Sequence, residues 1–180
     1  GNAQVIVHDD ADLAVTIPQL LLAKMRNGGA ACTSANRIYV QRPIADKFIA
    51  ELTKSMSAFV VGRGTDATTT LGASVSVKER NKIAELVDQS IAAGAKVETG
   101  GKTPDGVGAF YPATVLSVAK DNPILKHEIF GPVAPVVIFD TDAEGIALAN
   151  DTEFGLISYV FSSDLARALR TAEAMESGMV

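Results

Sequence analysis

The stretch Lys24–Arg37, KMRNGGAACTSANR, contains Cys32, the only cysteine of the chain. A helix-like run precedes it, and the pair Gly28–Gly29 interrupts that run. Glycine permits a sharp turn and a close approach of the backbone to a ligand. A thiol on such a bend can be flanked by backbone N–H groups that donate to an oxyanion. The stretch therefore indicates a cysteine nucleophile on a turn that follows a helix.

The opposite interpretation is a core cysteine, because free cysteine is most often a small buried hydrophobe. Small and polar residues flank Cys32, however, instead of a run of Val, Ile or Leu. Arg26 and Arg37 bracket it, and a nearby cation favours the thiolate. On these residues alone, both interpretations stay open.

Strand-like and helix-like segments alternate from one end of the chain to the other. Several strand candidates are apolar on both faces, such as Val133–Asp140 (VAPVVIFD), which is typical of buried parallel strands. This pattern predicts an α/β fold in three layers, with a mostly parallel sheet flanked by helices on both sides. No segment is long enough to act as a linker that divides the chain.

Some local features of the fold can also be predicted. Pro18 lies within the first helical run and predicts a kink or a late helix start. A second short helix is expected to contain Cys32 or to follow it. Phe110–Val118 is expected to form a strand, and Ser163 or Asp164 is expected to cap a last helix.

The composition excludes several classes of protein. The chain has 180 residues, a net charge of −5 and 47% hydrophobic residues, which is typical of a soluble globular protein and argues against a nucleic-acid binder. No apolar run approaches the length of a membrane span. The two histidines, His8 and His127, give no metal-ligand spacing with the cysteine. A single cysteine is compatible with a reducing compartment, so we expect a cytoplasmic protein.

A second candidate site is the segment KHEIFGPV, residues 126–133. Glu128 precedes a bend formed by Gly131 and Pro132, and an apolar strand follows. A carboxylate in this position can accept hydrogen bonds from sugar hydroxyls, as acidic residues do in dinucleotide sites. A single glutamate is nevertheless more often a solvated loop residue, and Phe130 is by default a core aromatic.

Together, the two segments resemble motifs of the aldehyde dehydrogenase family. Asn27, Gly29, Cys32 and Arg37 fall in register on the family's active-site signature, and EIFGPV is a near-complete match to its cofactor motif. Other segments match the family in the same order along the chain: Val61–Gly72, Phe110–Leu116 and Asn150–Leu156. The resemblance thus covers nearly the whole sequence.

The resemblance implies a role for four residues. Cys32 would attack an aldehyde to give a thiohemiacetal, from which hydride leaves to a nicotinamide and water then releases the acid. Glu128 would bind the hydroxyls of the nicotinamide ribose, and Phe130 would pack near the nicotinamide. Arg26 is similar to the arginine that binds the substrate carboxylate in succinate-semialdehyde dehydrogenases, since a guanidinium pairs with a carboxylate bidentately. The alternative for Arg26 is a residue that satisfies the carbonyls of a helix end.

The resemblance also implies that residues 1–180 are a catalytic domain truncated at both ends, without the cofactor-binding domain. Gly1–Asn2 is similar to the end of the family's general-base motif, so the general base and the second oxyanion donor would lie outside the chain. We expect the chain alone to be inactive and its parent to form a homo-oligomer. The parent would oxidise a small aldehyde, succinic semialdehyde being preferred, with NAD or NADP, NADP being slightly favoured.

Two other functions remain open at this point. One is an acylating or phosphorylating semialdehyde reductase of related fold, which also uses a cysteine thioester. The other is a non-catalytic oligomerisation domain in which Cys32 is buried and inert. Thiol reactivity near neutral pH distinguishes a nucleophile from a buried core cysteine.

Overall fold

Six strands and five helices alternate along the chain, and a computed structural model describes all residues from Gly1 to Val180. The elements in chain order are β1 (Ala3–Val7), α1 (Leu13–Met25), a short 3-10 segment (Arg26–Gly29), β2 (Ala35–Gln41), α2 (Arg42–Ser57), α3 (Val77–Ala92), β3 (Lys96–Thr99), β4 (Thr114–Ser117), a second 3-10 segment (Pro123–Lys126), β5 (Val133–Phe139), α4 (Asp142–Asn150), β6 (Ser158–Phe161) and α5 (Leu165–Ala174).

The strands form one mostly parallel sheet with the order β3-β4-β5-β2-β1-β6. Only the edge strand β3 is antiparallel to its neighbour β4. The central strands β1 and β2 are buried along their whole length, as expected for parallel strands covered on both faces. The sheet confirms the α/β fold that the sequence predicts.

Helices cover both faces of the sheet and enclose two apolar clusters. Alternate residues of a strand point to opposite faces, so Val5 and Val7 join one cluster and Ile6 joins the other. Helices α1 and α2 pack on the first face, whereas α3 and α4 pack on the second. None of the helices is both long and apolar enough to span a lipid bilayer.

The structure corrects three of the local predictions. Helix α1 begins at Leu13 and continues through Pro18, so the late helix start is wrong; Pro18 is exposed, and water can bond the carbonyl that lacks its helical donor. Cys32 lies in a turn that β2 follows, so no second helix contains or follows it. Strand β4 begins at Thr114 rather than Phe110, because Pro112 lacks the N–H needed for a ladder bond.

The parallel arrangement brings distant loops together at one edge of the sheet. Strands β5, β2, β1 and β6 are neighbours and run in the same direction, so the loops that precede them meet at the amino-terminal edge. These loops include the Cys32 turn before β2 and the Glu128–Pro132 segment before β5. Both sequence-predicted sites therefore lie at this edge.

Candidate active site

Cys32 is exposed on a turn directly before β2. The turn is closed by the Ser34 N–H, which donates to the carbonyl of Ala31 at 3.0 Å. Upstream, the three residues Asn27–Gly29 have φ angles of 53°, 61° and 80°, a left-handed conformation that glycine and asparagine tolerate best. This backbone ends α1 and presents the thiol at the surface, which excludes the interpretation of Cys32 as a buried core residue.

The backbone N–H groups next to the thiol are free. Neither the N–H of Cys32 nor that of Thr33 donates a hydrogen bond within the chain. An unoccupied N–H beside a nucleophile can donate to the oxyanion that forms when the thiol adds to a carbonyl. The turn therefore has the local chemistry that acyl transfer through a cysteine requires.

Behind the turn lies a buried polar contact that sequence reasoning missed. The Ser34 Oγ donates to the carbonyl of Lys24 at 3.1 Å, and the Lys24 Nζ donates to the Asn36 Oδ1 at 2.8 Å. No carboxylate accompanies the buried ammonium group, and burial lowers the pKa of Lys24 to about 7. This contact ties the last turn of α1 to the start of β2 beneath Cys32.

The loop that carries Glu128 packs directly on the nucleophile turn. Gly29 approaches Gly131 so closely that a Cβ on Gly29 would overlap the Gly131 carbonyl oxygen. Gly1, which precedes β1, lies against the carbonyl oxygen of Cys32. The structure thus brings together the two segments that the sequence predicts as sites.

The nucleophile turn separates two cavities. One has a volume of about 420 Å³ and is lined by Ala30 from the turn and by Phe130, which is 42% exposed. The other is a mainly apolar groove of about 610 Å³ that is lined by Arg26 and Thr33. Ala30 and Thr33, which flank Cys32 in the sequence, thus border different cavities, and Cys32 itself lines neither. The first cavity therefore offers an aromatic side chain beside the nucleophile turn.

Arg26 is free to bind a ligand. It is exposed and forms the carboxyl-terminal cap of α1, where its backbone N–H donates to the carbonyl of Leu22. Its guanidinium donates to no carbonyl of the helix and pairs with no carboxylate of the chain. The alternative role of satisfying the helix end is therefore not realised in the structure.

Arg37, although part of the sequence signature, is a buried anchor and is 2% exposed. Its guanidinium donates to the carbonyls of Ala149 at 2.8 Å and Asp151 at 3.3 Å. These carbonyls lie at the carboxyl end of α4, where a cation is favoured. Arg37 therefore fixes α4 to β2 and supports the fold behind the site.

Tyr159 is a site residue that the sequence did not reveal. Its hydroxyl donates to the carbonyl of Thr33 at 2.7 Å, across 126 residues of sequence. Burial raises the pKa of this tyrosine. Only the pairing of β6 with β1 brings it to the nucleophile turn, and no local pattern in the sequence contains that information.

Comparison with known proteins decides the family. A family profile described as the aldehyde dehydrogenase family matches residues 1–180. The chain belongs to the aldehyde dehydrogenase family. Curated members of it include the succinate-semialdehyde dehydrogenase of Paenarthrobacter nicotinovorans, which is 46% identical over 181 residues that cover 100% of this chain and 40% of that protein.

Two further relatives of this aldehyde dehydrogenase chain are informative. The glutarate-semialdehyde dehydrogenase of Pseudomonas aeruginosa is 44% identical, with 100% of this chain and 38% of that protein covered. The crystal structure of an NADP-dependent enzyme of Escherichia coli matches with a TM-score of 0.96 at 41% identity, with 100% of this chain and 38% of that chain covered. This aldehyde dehydrogenase chain thus spans about two fifths of the length of the relatives it matches.

Proposed function

We propose that this chain belongs to the catalytic domain of an NAD(P)-dependent enzyme that oxidises an aldehyde to a carboxylic acid through a thioester on Cys32. The observation that carries this proposal is the exposed thiol on a turn between two cavities, next to free backbone N–H groups. A thiolate is a strong nucleophile, and a covalent intermediate divides one difficult step into two easier ones.

The residues of the chain account for the first step of this chemistry. The Cys32 Sγ adds to the aldehyde carbon, and the carbonyl oxygen becomes an oxyanion to which the Cys32 N–H donates. Loss of one such donor typically costs on the order of a hundredfold in rate. The nicotinamide cofactor, when bound, accepts the hydride. Water then adds to the thioester, so that the acid leaves and the Cys32 thiol is restored.

The cavity beside Phe130 is the proposed place of the nicotinamide. Phe130 lines it together with Asn27, Gly28 and Ala30, and Glu128 is two residues away along the same loop. We assign Phe130 to packing against the ring and Glu128 to the ribose hydroxyls. NADP is slightly favoured over NAD, and the similarity to an NADP-dependent enzyme supports this preference.

Arg26 is the proposed determinant of the substrate, because its unpaired guanidinium lines the groove on the other side of Cys32. The two curated relatives are named for semialdehydes of dicarboxylic acids, succinate and glutarate. Both compounds carry a carboxylate, the group that a guanidinium binds best. We propose succinic semialdehyde as the substrate, with its carboxylate on Arg26 and its aldehyde at Cys32.

The activity is assigned to a longer parent protein. The general base and the second oxyanion donor are proposed to lie outside residues 1–180, so the purified chain should not turn over. Steady formation of reduced nicotinamide by the purified chain with succinic semialdehyde and NADP would contradict this assignment.

The decisive experiment is a substitution of Arg26 by Met in the parent protein. Loss of a charge-assisted hydrogen bond costs about 1.5–3 kcal/mol, so we expect the KM for succinic semialdehyde to rise by about one to two orders of magnitude. Butanal has the same chain length without the carboxylate and serves as the matched control, with kcat/KM nearly unchanged. Equal effects on both substrates would contradict the binding of the substrate carboxylate by Arg26, whereas the proposed dehydrogenase activity would stand.

A further inference from the structure

The hydroxyl of Tyr159 holds the peptide that follows the nucleophile. It donates to the Thr33 carbonyl at 2.7 Å, and this is the one hydrogen bond that Cys32 or Thr33 makes within the chain. The neighbouring residues on one side, Asn27–Gly29, adopt the left-handed backbone of a bend. The turn is therefore held at Ser34, whose N–H donates to Ala31 and whose Oγ donates to Lys24, and at Thr33, whose carbonyl accepts from Tyr159.

The same side chain faces two parts of the proposed site, the groove that Arg26 lines and the turn that carries Cys32. Burial raises the pKa of Tyr159, and the hydrogen bond to Thr33 and then the positive charge of Arg26 lower it in part. The tyrosine also lines the groove that contains Arg26 and Thr33. Phenol and guanidinium thus line the same groove, and the phenol bonds the carbonyl of the residue that follows Cys32.

Packing alone does not explain why a tyrosine occupies this position. The ring packs against the apolar cluster beneath α1, together with Phe161 of the same strand. A phenylalanine would supply the same apolar contact, because it differs only by the hydroxyl. The hydroxyl is therefore explained by its bond to the turn and not by the core.

We propose that Tyr159 is a positioning residue that fixes the Cys32 thiol relative to the Arg26 guanidinium and so sets the selectivity for anionic substrates. The inference rests on the proposed function, in which Arg26 binds the carboxylate of the substrate while Cys32 attacks the aldehyde. Arg26 belongs to the end of α1, whereas Cys32 belongs to the turn. Selectivity for a carboxylate at a set distance from the aldehyde requires that these two segments keep their separation.

The single cysteine makes a direct test possible, because Cys32 supplies the only thiol of the chain and the loss of free thiol reports its alkylation. Iodoacetate and iodoacetamide have nearly the same shape, and only iodoacetate is anionic. The measured selectivity is the second-order rate constant of Cys32 with iodoacetate divided by that with iodoacetamide. It is normalised by the same ratio for free cysteine. In the unmodified chain this selectivity should favour iodoacetate, and Arg26→Met should abolish the preference.

Tyr159→Phe removes the hydroxyl and keeps the ring. We expect it to lower the selectivity for iodoacetate by about threefold, towards the value of Arg26→Met. A threefold change corresponds to the free energy of an exposed charge pair. Tyr111→Phe is the matched control, since the Tyr111 hydroxyl is buried and has no partner; it should leave the selectivity unchanged. 4-Aminophenylalanine at position 159 restores a donor and should restore part of the selectivity.

The outcomes separate this inference from the proposed function. If Tyr159→Phe lowers stability or both rates but keeps the selectivity of the unmodified chain, the hydroxyl is only a structural bond and the inference is wrong, while the role of Arg26 stands. If the unmodified chain shows no preference for iodoacetate, the proposed role of Arg26 fails and the inference fails with it.

Discussion

Gly29 is the residue at which the nucleophile turn and the cofactor loop touch. Its φ of 80° disfavours any residue with a Cβ, and a Cβ would overlap the carbonyl oxygen of Gly131. Gly29→Ala should therefore lower the free energy of unfolding by about 2–4 kcal/mol, the sum of left-handed strain and overpacking. Urea unfolding followed by circular dichroism measures this change.

Gly64→Ala is the control for Gly29→Ala, because a Cβ at Gly64 meets no atom within 4 Å and its φ lies outside the left-handed region. It should change stability by less than about 0.5 kcal/mol. Similar losses for the two variants would show that the loops can separate at little cost, and would contradict the tight contact between them.

At the scale of single residues, the sequence predicted the placement of the thiol better than the side chains that surround it. The bend at Gly28–Gly29 and the non-apolar surroundings of Cys32 indicated a thiol on a turn, and the structure confirms that placement. Lys24 and Tyr159 were missed because the residues that they bond are distant in sequence, and because the acceptor of Tyr159 is a backbone carbonyl, which no side-chain pattern reveals. Their roles depend on which strands become neighbours, and that information is not local.

Among the elements, α5 is attached to the fold by polar contacts more than by apolar ones. Leu165 and Leu169 are 73% and 54% exposed, and Thr171 is the only buried residue of the helix. Arg167 bonds both oxygens of Asp142, at 2.6 and 2.8 Å. It also donates to Asp9 at 2.6 Å.

Arg167→Met should therefore detach α5 and lower the free energy of unfolding. We expect a loss of about 1–3 kcal/mol at low salt and less at high salt, since the carboxylates are partly exposed and their mutual repulsion is then uncompensated. Arg170→Met on the same helix is the control, because Arg170 is exposed and forms no ion pair. Thermal unfolding at two salt concentrations compares them, and equal shifts would show that the network contributes nothing specific.

The alternation of strands and helices was predictable because each element carries its own periodicity. Helix α3, for example, begins after its Ser76 cap and ends shortly before Gly94, which has a φ of 92°. The incorrect predictions arise where a proline competes with the pattern of a segment. Pro112 shortens β4, whereas Pro18, on the exposed side of α1, does not interrupt that helix. In both cases the outcome depends on whether the lost hydrogen bond faces water or a neighbouring strand.

Across the whole molecule, the two edges of the parallel sheet have different tasks. The amino-terminal edge carries the exposed thiol, free N–H groups and two cavities. The carboxyl-terminal edge, where open α/β sheets commonly bind ligands, is occupied by the network around Arg167. The candidate chemistry thus lies on the loops that enter the strands, and the opposite edge holds the elements together.

The interior of the molecule also encloses basic groups that couple its stability to pH. Burial lowers the pKa of Lys24 from 10.5 to about 7, and burial likewise lowers the pKa of His8 from 6.5. Between about pH 7 and 10.5, the unfolded chain therefore binds a proton at Lys24 that the folded chain has released. Stability rises with pH wherever the unfolded state binds more protons, so it should increase through this window. His8 adds a separate loss of stability as the pH falls below 6.5.

Lys24→Met should flatten the alkaline part of this profile. Each unit of pKa difference corresponds to about 1.4 kcal/mol, so the unmodified chain should gain several kcal/mol between about pH 7 and pH 10, measured by urea unfolding. The variant loses this gain and should be at least as stable as the unmodified chain at pH 7, although the Asn36 oxygen that Lys24 bonds loses its partner and offsets part of the benefit. Lys47→Met, at a side chain that is 73% exposed, should keep the slope of the unmodified chain. If the Lys24→Met profile were as steep as that of the unmodified chain, Lys24 would not cause the alkaline gain. Its ammonium group would then reach water, because only an enclosed lysine gives up its proton on folding.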